Sequence, residues 1–225
     1  MQRTRIKFCG FTRAPDLEAA IALGVDAVGL ILVPASRRAL GLAQAADLRA
    51  LVPPFVQSVA LLLDPEPAWV EQVISVVKPD LLQFHGRERG AFCAQFSHPY
   101  IKALSGQQPG DLLSSAQEFK SARGVLIDAH EPGAVGGLGR TFDWSMLPSL
   151  PGAWTLSGGL DAENVADAII RLRPFAVDTA SGIESSPGQK SAARMLAFVA
   201  AVRAADRIRE SAGNPLEELE GLRSK

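Results

Sequence analysis

Cysteine is scarce in this chain, and neither sign of charge is in excess. Only two cysteines occur among the 225 residues, Cys9 and Cys93, far apart and without a CxxC spacing. This pattern argues against a disulfide framework or a thiol metal site, and it is typical of a reducing, cytoplasmic compartment. The 23 basic and 24 acidic residues nearly cancel, so no overall field would attract nucleic acid or an anionic membrane.

Long hydrophobic runs are also lacking. No apolar segment reaches the roughly 18–20 residues that a membrane span needs, and the polar residues before the first predicted strand contain no signal-peptide core. The hydrophobic share, 47%, is nevertheless ordinary for a protein with a substantial core. We therefore expect a soluble enzyme or binding protein that meets any anionic ligand with locally placed groups.

What the chain does have is a regular alternation of strand-like and helix-like segments. The eight strand-like segments lie at residues 5–9, 27–33, 56–63, 81–85, 100–104, 125–129, 154–160 and 175–182. Such alternation predicts a parallel sheet with right-handed crossovers. Eight units in this length favour a closed (β/α)8 TIM barrel of the α/β class. An open doubly wound sheet is the alternative, which the absence of a GxGxxG fingerprint after the first strand disfavours.

The barrel is predicted as a single catalytic domain over residues 1–205. Its last helix is expected to begin after Pro187-Gly188 and to run from about Ser191 to Arg209. The charged, glycine-punctuated residues 206–225 are expected to form a polar tail, either a frayed helix or a disordered segment.

Cys9 ends the first strand and is followed by a glycine. Period-two alternation places Lys7 and Cys9 on the same face of this strand. In parallel α/β proteins, ligands and catalytic groups collect at the carboxyl ends of the strands. A lone cysteine can also be simply a small buried apolar residue, so the other strand ends must decide between these interpretations.

Two further strand ends carry groups that can transfer protons. His85 follows the fourth strand and Asp128 ends the sixth, so a closed barrel would place both at the same mouth as Cys9. A strand-end carboxylate often caps the next helix, but a glycine-rich loop, residues 133–139, comes next here. His85 could equally be a hydrogen-bonded core histidine.

Glycines follow the seventh and eighth strands, and a basic loop follows the second. Gly158-Gly159 and Ser181-Gly182 lie where phosphate-binding barrels present backbone amides to a phosphate, although such glycines can also merely form tight turns. Of the adjacent Arg37 and Arg38, only one needs to turn towards the mouth to meet a ligand anion. They could also be a solvated pair.

These segments together resemble one known family over about residues 5–205, the phosphoribosylanthranilate isomerases of tryptophan biosynthesis. The resemblance is carried, in order along the chain, by residues 7–12 (KFCGFT), 34–38 (PASRR), 82–86 (LQFHG), 127–128 (ID), 136–144 (GGLGRTFDW), 156–160 (LSGGL) and 175–184 (FAVDTASGIE). It implies a TIM barrel that catalyses an Amadori rearrangement of a phosphorylated aminoaldose.

The resemblance also implies roles for individual residues. Cys9 would be the general base and Asp128 the general acid. We expect the positive charge of Lys7 to bring the pKa of the thiol from about 8.5 towards neutrality. Arg38 would hold the carboxylate of the substrate. Supporting and phosphate-binding positions would be His85, Asp178, Gly158, Gly159, Ser181 and Gly182.

No metal or organic cofactor is expected, because every step of that reaction is a proton transfer. The expected partner is a small phosphorylated substrate, and the protein is expected to be a monomer or a homodimer. Two other functions remain open. An indole-glycerol-phosphate synthase would need a catalytic lysine and a longer amino-terminal extension. A non-catalytic phospho-ligand-binding barrel would explain the glycines, but not the thiol and the carboxylate.

Overall fold

The computed structural model describes residues 3–106, 112–129, 144, 147 and 152–211. The glycine-rich loop at 133–139, the segment 141–143 and the tail beyond residue 211 lie outside the described residues. The expectations for these segments therefore remain predictions.

Eight parallel strands close into a barrel in which each strand pairs with its neighbours in sequence and β8 pairs with β1. The strands are Arg5–Cys9 (β1), Ala27–Ile31 (β2), Gln57–Leu62 (β3), Leu81–Phe84 (β4), Tyr100–Ser105 (β5), Gly124–Asp128 (β6), Trp154–Leu156 (β7) and Ala176–Thr179 (β8). The closed barrel confirms the predicted fold class, and the open sheet is excluded.

Helices lie between the strands, as the alternation predicts. Those described are Ala14–Ala22 (α1), Leu42–Ala50 (α2), Pro67–Gln72 (α3), Gly90–Ala94 (α4), Leu112–Glu118 (α5), Val165–Leu172 (α6) and Ala192–Ser211 (α7). Prolines lie in the first turn of α1 and of α3, where the missing N–H costs no hydrogen bond. Within the described part of the chain, no helix is long and apolar enough to cross a membrane.

The last helix begins at Ala192, within one residue of the predicted start. What the sequence did not predict is that Pro187-Gly188, just before it, forms the turn of a small antiparallel hairpin, Glu184–Ser186 (β9) with Gln189–Lys190 (β10). Gly188 has a φ of +83°, a left-handed conformation that glycine adopts without strain and that a helix cannot contain. The hairpin extends the loop after β8 and brings Glu184 and Lys190 to the barrel mouth.

Helix α7 also continues past residue 205, the expected end of the barrel domain. Asp206 is buried, and its carboxylate accepts hydrogen bonds from the backbone N–H and the hydroxyl of Thr4. These contacts fix the helix to the segment that leads into β1. The domain boundary itself stays a prediction.

Alternation along the strands separates the hydrophobic core from the site. On β1, Ile6 and Phe8 point outward into the main core between barrel and helices, where Phe8 meets Phe198 of α7 edge-to-face at 5.5 Å. Lys7 and Cys9, on the other face, point into the barrel. On β1 the outward residues therefore provide the packing, and the inward residues are the polar and reactive ones.

Candidate active site

The carboxyl ends of the strands surround one cavity. Its lining includes Cys9 from β1, His85 just after β4, Asp128 from β6 and Asp178 from β8. All four are buried or nearly so. The barrel thus brings together side chains that are as much as 169 positions apart in the sequence (178 minus 9).

The thiol of Cys9 occupies space that a glycine leaves open. A Cβ on Gly29 of the neighbouring strand would lie 2.5 Å from Sγ of Cys9, closer than any real contact. Cys9 is 3% exposed, and its apolar neighbours include Ile31 and Val33. The thiol is therefore held in a tight, largely apolar part of the mouth.

The electrostatics of Cys9 differ from the prediction. Burial raises the pKa of the thiol, and although Lys7 and Lys190 lower it, the net direction is upward. The expectation that Lys7 brings this pKa towards neutrality is therefore wrong for the unliganded site. The reason is that desolvation of a buried thiolate outweighs the attraction of a lysine whose charge is already paired.

That pairing is with Asp178. Nζ of Lys7 donates to Oδ1 of Asp178 at 2.8 Å, and the hydroxyl of Ser157 donates to Oδ2 at 3.2 Å. Burial lowers the pKa of Lys7, but the charges of Asp178 and Cys9 and the hydrogen bonds to them together raise it by more. Lys7 lines the cavity at the opposite, amino-terminal end of the barrel and not the mouth. It therefore acts beneath the site.

His85 and Asp128 face each other across the mouth. Nε2 of His85 lies 3.8 Å from Oδ2 of Asp128, and Nδ1 lies 3.1 Å from the side-chain amide nitrogen of Gln83. Burial lowers the pKa of His85, and the charge of Asp128 only partly offsets this. The imidazole is therefore neutral at neutral pH. It lies close to the carboxyl group of Asp128 but adds no positive charge beside it.

The structure requires glycine after β7 and after β8 for different reasons. Gly158 and Gly159 have φ values of +91° and +66°, and a Cβ on Gly158 would lie 2.4 Å from the backbone nitrogen of Ala129. Both glycines line the cavity, as does Ser181. Gly182 does not. Its missing Cβ instead lets the chain approach the carbonyl oxygen of Leu160, which would lie 2.0 Å from a side chain there.

Of the two adjacent arginines, Arg38 is the one that turns inward. Arg37 is exposed, whereas Arg38 is 6% exposed and lines the cavity. Gly10 makes room for it, because a Cβ there would lie 2.6 Å from Cδ of Arg38. The guanidinium forms a two-point ion pair with Glu184, Nε to Oε1 at 2.7 Å and Nη2 to Oε2 at 2.6 Å.

Glu184 and Lys190 do not line the cavity, but they hold residues that do, and sequence reasoning missed both. Nζ of Lys190 donates to Oε1 of Glu184 at 2.8 Å and to the carbonyl oxygens of Cys9 and Ala180 at 2.6 and 3.0 Å. Glu184 ends the segment that carries the family resemblance, but nothing there indicates its partner. Lys190 could have been found only by recognising Pro187-Gly188 as a hairpin turn.

One wall of the cavity is aliphatic. It consists of side chains from the ends of β2 and β3, namely Ile31, Val33, Leu61 and Leu63. Ile31 also lies beside Arg38, since both would be within 3.3 Å of a Cβ on Gly10. A flat apolar group can pack on this wall and place a negative charge at the guanidinium.

The second cysteine lies apart from this site. Cys93 is buried in the hydrophobic core, and burial raises its pKa to about 12. Among the described residues, no group of three or more His, Cys, Asp or Glu side chains could hold a metal ion.

A thiol and a carboxyl group share one mouth of the barrel, with an arginine on one side and glycine-bounded turns on the other. This arrangement places the chain in the class of (β/α)8-barrel enzymes whose site is suited to acid–base chemistry on a small anionic ligand.

Comparison with known proteins identifies the family within that class. The family model described as "N-(5'phosphoribosyl)anthranilate (PRA) isomerase" matches residues 6–201. The chain is 47% identical over 201 residues to the N-(5'-phosphoribosyl)anthranilate isomerase of Thiobacillus denitrificans, a match covering 89% of this chain and 98% of that protein. It is 46% identical over 205 residues to that of Dechloromonas aromatica, covering 91% and 98%. The chain belongs to the N-(5'-phosphoribosyl)anthranilate isomerase family.

Solved structures similar to this chain belong to the same family. The phosphoribosyl anthranilate isomerase of Thermotoga maritima is 32% identical with a TM-score of 0.79, the alignment covering 89% of this chain and 99% of that one. Another solved isomerase, in complex with reduced 1-(o-carboxyphenylamino)-1-deoxyribulose 5-phosphate, is 30% identical with a TM-score of 0.76 and the same coverage.

Proposed function

We propose that the protein isomerises N-(5'-phosphoribosyl)anthranilate to 1-(2-carboxyphenylamino)-1-deoxyribulose 5-phosphate in tryptophan biosynthesis. The observation that carries the proposal is the meeting of Cys9 and Asp128 at one barrel mouth, with Arg38 and the Gly158-Gly159 turn lining the same cavity. A non-catalytic binding barrel would need the arginine and the glycines, but it would need neither a thiol nor a carboxyl group there.

In this mechanism Asp128 is the general acid and Cys9 the general base. Asp128 gives its proton to the furanose ring oxygen, the bond from that oxygen to C1′ breaks, and the nitrogen lone pair forms a Schiff base at C1′. Cys9 then takes the proton from C2′, which leaves an enolamine. Its tautomerisation moves a proton to C1′ and yields the ketone at C2′. Every step is a proton transfer, so the chemistry needs neither metal nor organic cofactor.

The raised pKa of Cys9 is compatible with the role of base. The thiol must lose its proton before it acts, and Lys7 and Lys190 are the positive charges that favour the thiolate. Burial opposes them and makes the thiolate scarce at neutral pH, but it also makes the thiolate a stronger base once formed. We therefore expect the limb of the rate profile that reports Cys9 to lie on the alkaline side of neutrality.

The two ends of the cavity fit the two ends of the substrate. Arg38 would bind the anthranilate carboxylate, with the aromatic ring packed on the aliphatic wall. The backbone amides at Gly158, Gly159 and Ser181 would bind the phosphate. Gly182 would contribute by its close packing on the turn after β7, and His85 and Asp178 would orient Asp128 and Lys7.

We also infer a cytoplasmic location, because both cysteines are buried free thiols and such thiols are typical of a reducing compartment. A monomer or a homodimer remains the expected oligomeric state, and one solved relative from Thermotoga maritima is described as dimeric. Light scattering during size-exclusion chromatography would decide between the two.

The decisive experiment is turnover of phosphoribosylanthranilate by purified protein, followed by loss of the substrate's fluorescence. Cys9→Ala is expected to lower kcat by about 10²–10⁴-fold with little change in affinity, because the thiol moves a proton and does not hold the ground state. Near-native activity in this variant would show that another group is the base.

Asp128→Asn keeps the shape of the side chain but removes the acidic proton. We expect kcat to fall by about 10²-fold or more, and the limb of the kcat/KM profile that reports the acid should disappear while the thiol limb persists. An Asn variant with native kcat would move ring opening to another group, with His85, 3.8 Å away, as the first to be tested.

A further inference from the structure

The two-point ion pair with Glu184 reduces the positive charge that Arg38 can offer to a ligand. A guanidinium fully paired with one carboxylate contributes no net charge to its surroundings, yet the proposed function needs Arg38 to attract a second carboxylate. The glutamate is ionised, since burial raises its pKa but the hydrogen bonds and charges of Arg38 and Lys190 together lower it by more. An isolated Arg38–Glu184 pair would therefore hold the arginine firmly and weaken its attraction for an anion.

Lys190 changes this balance. Its Nζ lies 2.8 Å from the same Oε1 that accepts from Nε of Arg38, and its side chain is fully buried. Two cations and one anion then share this cluster, which carries one net positive charge when all three groups are ionised. Charges this deeply buried are weakly screened by solvent, so the surplus acts on whatever occupies the cavity.

The hydrogen bonds of Lys190 favour its protonated form. Burial lowers the pKa of Lys190 and the charge of Glu184 only partly offsets this, but the geometry around Nζ suits an ammonium group. Three oxygens surround Nζ as acceptors, those of Cys9, Ala180 and Glu184, at 2.6–3.0 Å. A neutral amine has only two N–H groups and would turn its lone pair towards one of these oxygens, whereas an ammonium group satisfies all three.

Resting on the function proposed above, we propose that Lys190 is a specificity-determining positioning residue. By neutralising Glu184, it lets the glutamate fix the Nε–Nη2 edge of Arg38 while the arginine keeps a full positive charge for the substrate carboxylate. The remaining nitrogen, Nη1, has no hydrogen bond to any of the described residues. The phosphate end of the cavity is built from backbone amides, and Lys190 touches it only through the carbonyl oxygen of Ala180, so this charge should matter less there.

Charge restoration provides the test. Lys190→Met makes the cluster neutral, whereas Glu184→Gln/Lys190→Met returns it to one positive charge with side chains of similar size. Kinetics would be measured with phosphoribosylanthranilate, and competitive inhibition with two probes, anthranilate for the carboxylate end and inorganic phosphate for the other.

For Lys190→Met we expect KM and the anthranilate inhibition constant to rise about tenfold, the effect of losing one weakly screened charge near the ligand, while the phosphate inhibition constant rises clearly less. The double variant should recover most of the loss. If it stays as weak as the single variant, or if both probes weaken equally, Lys190 only ties the ends of β1 and β8 together and the proposal is wrong.

A variant that does not fold and a failure of the proposed function can both be told apart from a failure of this proposal. If Lys190→Met does not fold, Lys190→Gln replaces it. The glutamine keeps hydrogen-bond donors but not the charge, so the same tenfold loss and the same rescue by Glu184→Gln are expected. Failure of the proposed function would appear as no turnover in the native protein. Failure of the present proposal would appear as normal native turnover without rescue.

Discussion

The buried ion pair beneath the site offers a sharp test of how the barrel interior is stabilised. Lys7 and Asp178 are 7% and 6% exposed at the side chain, and their charged atoms are 2.8 Å apart. Asp178→Asn keeps the volume but leaves the ammonium group of Lys7 without a counter-charge. Breaking a buried pair in this way costs about 3–5 kcal/mol. For a chain of this size, that cost lowers Tm by roughly 6–20 °C.

A matched change on the surface serves as control. Asp167 pairs with Arg171 at 2.7 Å, but these side chains are 51% and 67% exposed, so Asp167→Asn should change stability by no more than about 0.5 kcal/mol. Both variants would be unfolded with urea and followed by circular dichroism. Equal losses would show that the interior pair is as well solvated as the surface pair and would refute the reasoning.

A second variant separates the unpaired charge from the lost contacts. Lys7→Met/Asp178→Asn removes the ammonium group as well, so no isolated charge remains in the barrel. Its stability should exceed that of Asp178→Asn alone, because replacing both partners of a buried pair is often nearly neutral. A double variant less stable than Asp178→Asn would mean that the hydrogen bonds to Lys7 and Ser157, and not the charge, dominate.

Three further predictions concern the mouth. Gly159→Asp should raise KM strongly and abolish competition by inorganic phosphate. Gly159→Asn is equally compatible with a φ of +66° but adds no charge, so its effects should be smaller. Equal effects of the two variants would show that the phosphate binds elsewhere. Gly29→Ala should lower turnover and slow alkylation of Cys9, because the new methyl group would lie 2.5 Å from Sγ, whereas Gly41→Ala, with no atom within 4 Å, should change neither. Burial lowers the pKa of His85 in the folded state, so below its unfolded pKa of about 6.5 the unfolded state binds the proton more readily and stability decreases as the pH is lowered. His85→Gln should make the decrease of Tm below about pH 6.5 less steep, and an unchanged slope would contradict the assignment.

The sequence by itself determined the architecture. Near-continuous apolar strands such as Ala27–Ile31, separated by segments of helical period, admit few arrangements other than a parallel sheet covered by helices. Cys9 and Asp128 each end a predicted strand, just before a turn or loop. Because all carboxyl ends of a parallel barrel lie at the same edge, the two reactive groups were predicted to lie there together. These features are local and periodic, so they can be recognised without knowledge of contacts.

Only the tertiary structure determined how the charged groups of the site are paired and how their pKa values are shifted. Lys7 shares a face with Cys9, as the alternation predicts, but its partner Asp178 is 171 positions away, and that pairing together with burial leaves the thiol with a raised pKa. Solvent exposure and counter-charges depend on distances between strands that no local pattern encodes. The same holds for Arg38: its position was predictable, but its ion pair with Glu184, 146 positions away, was not.

The hairpin after β8 shows the same division within a single segment. The sequence placed the last helix correctly after Pro187-Gly188, but proline is compatible with several kinds of turn and the hairpin there was not predicted. Only the fold resolved this ambiguity, by pairing Glu184–Ser186 with Gln189–Lys190 over the mouth. Lys190 thereby reaches the carbonyl of Cys9 across 181 positions of chain. The sequence supplied a lysine, and closure of the barrel placed its charge beside the site.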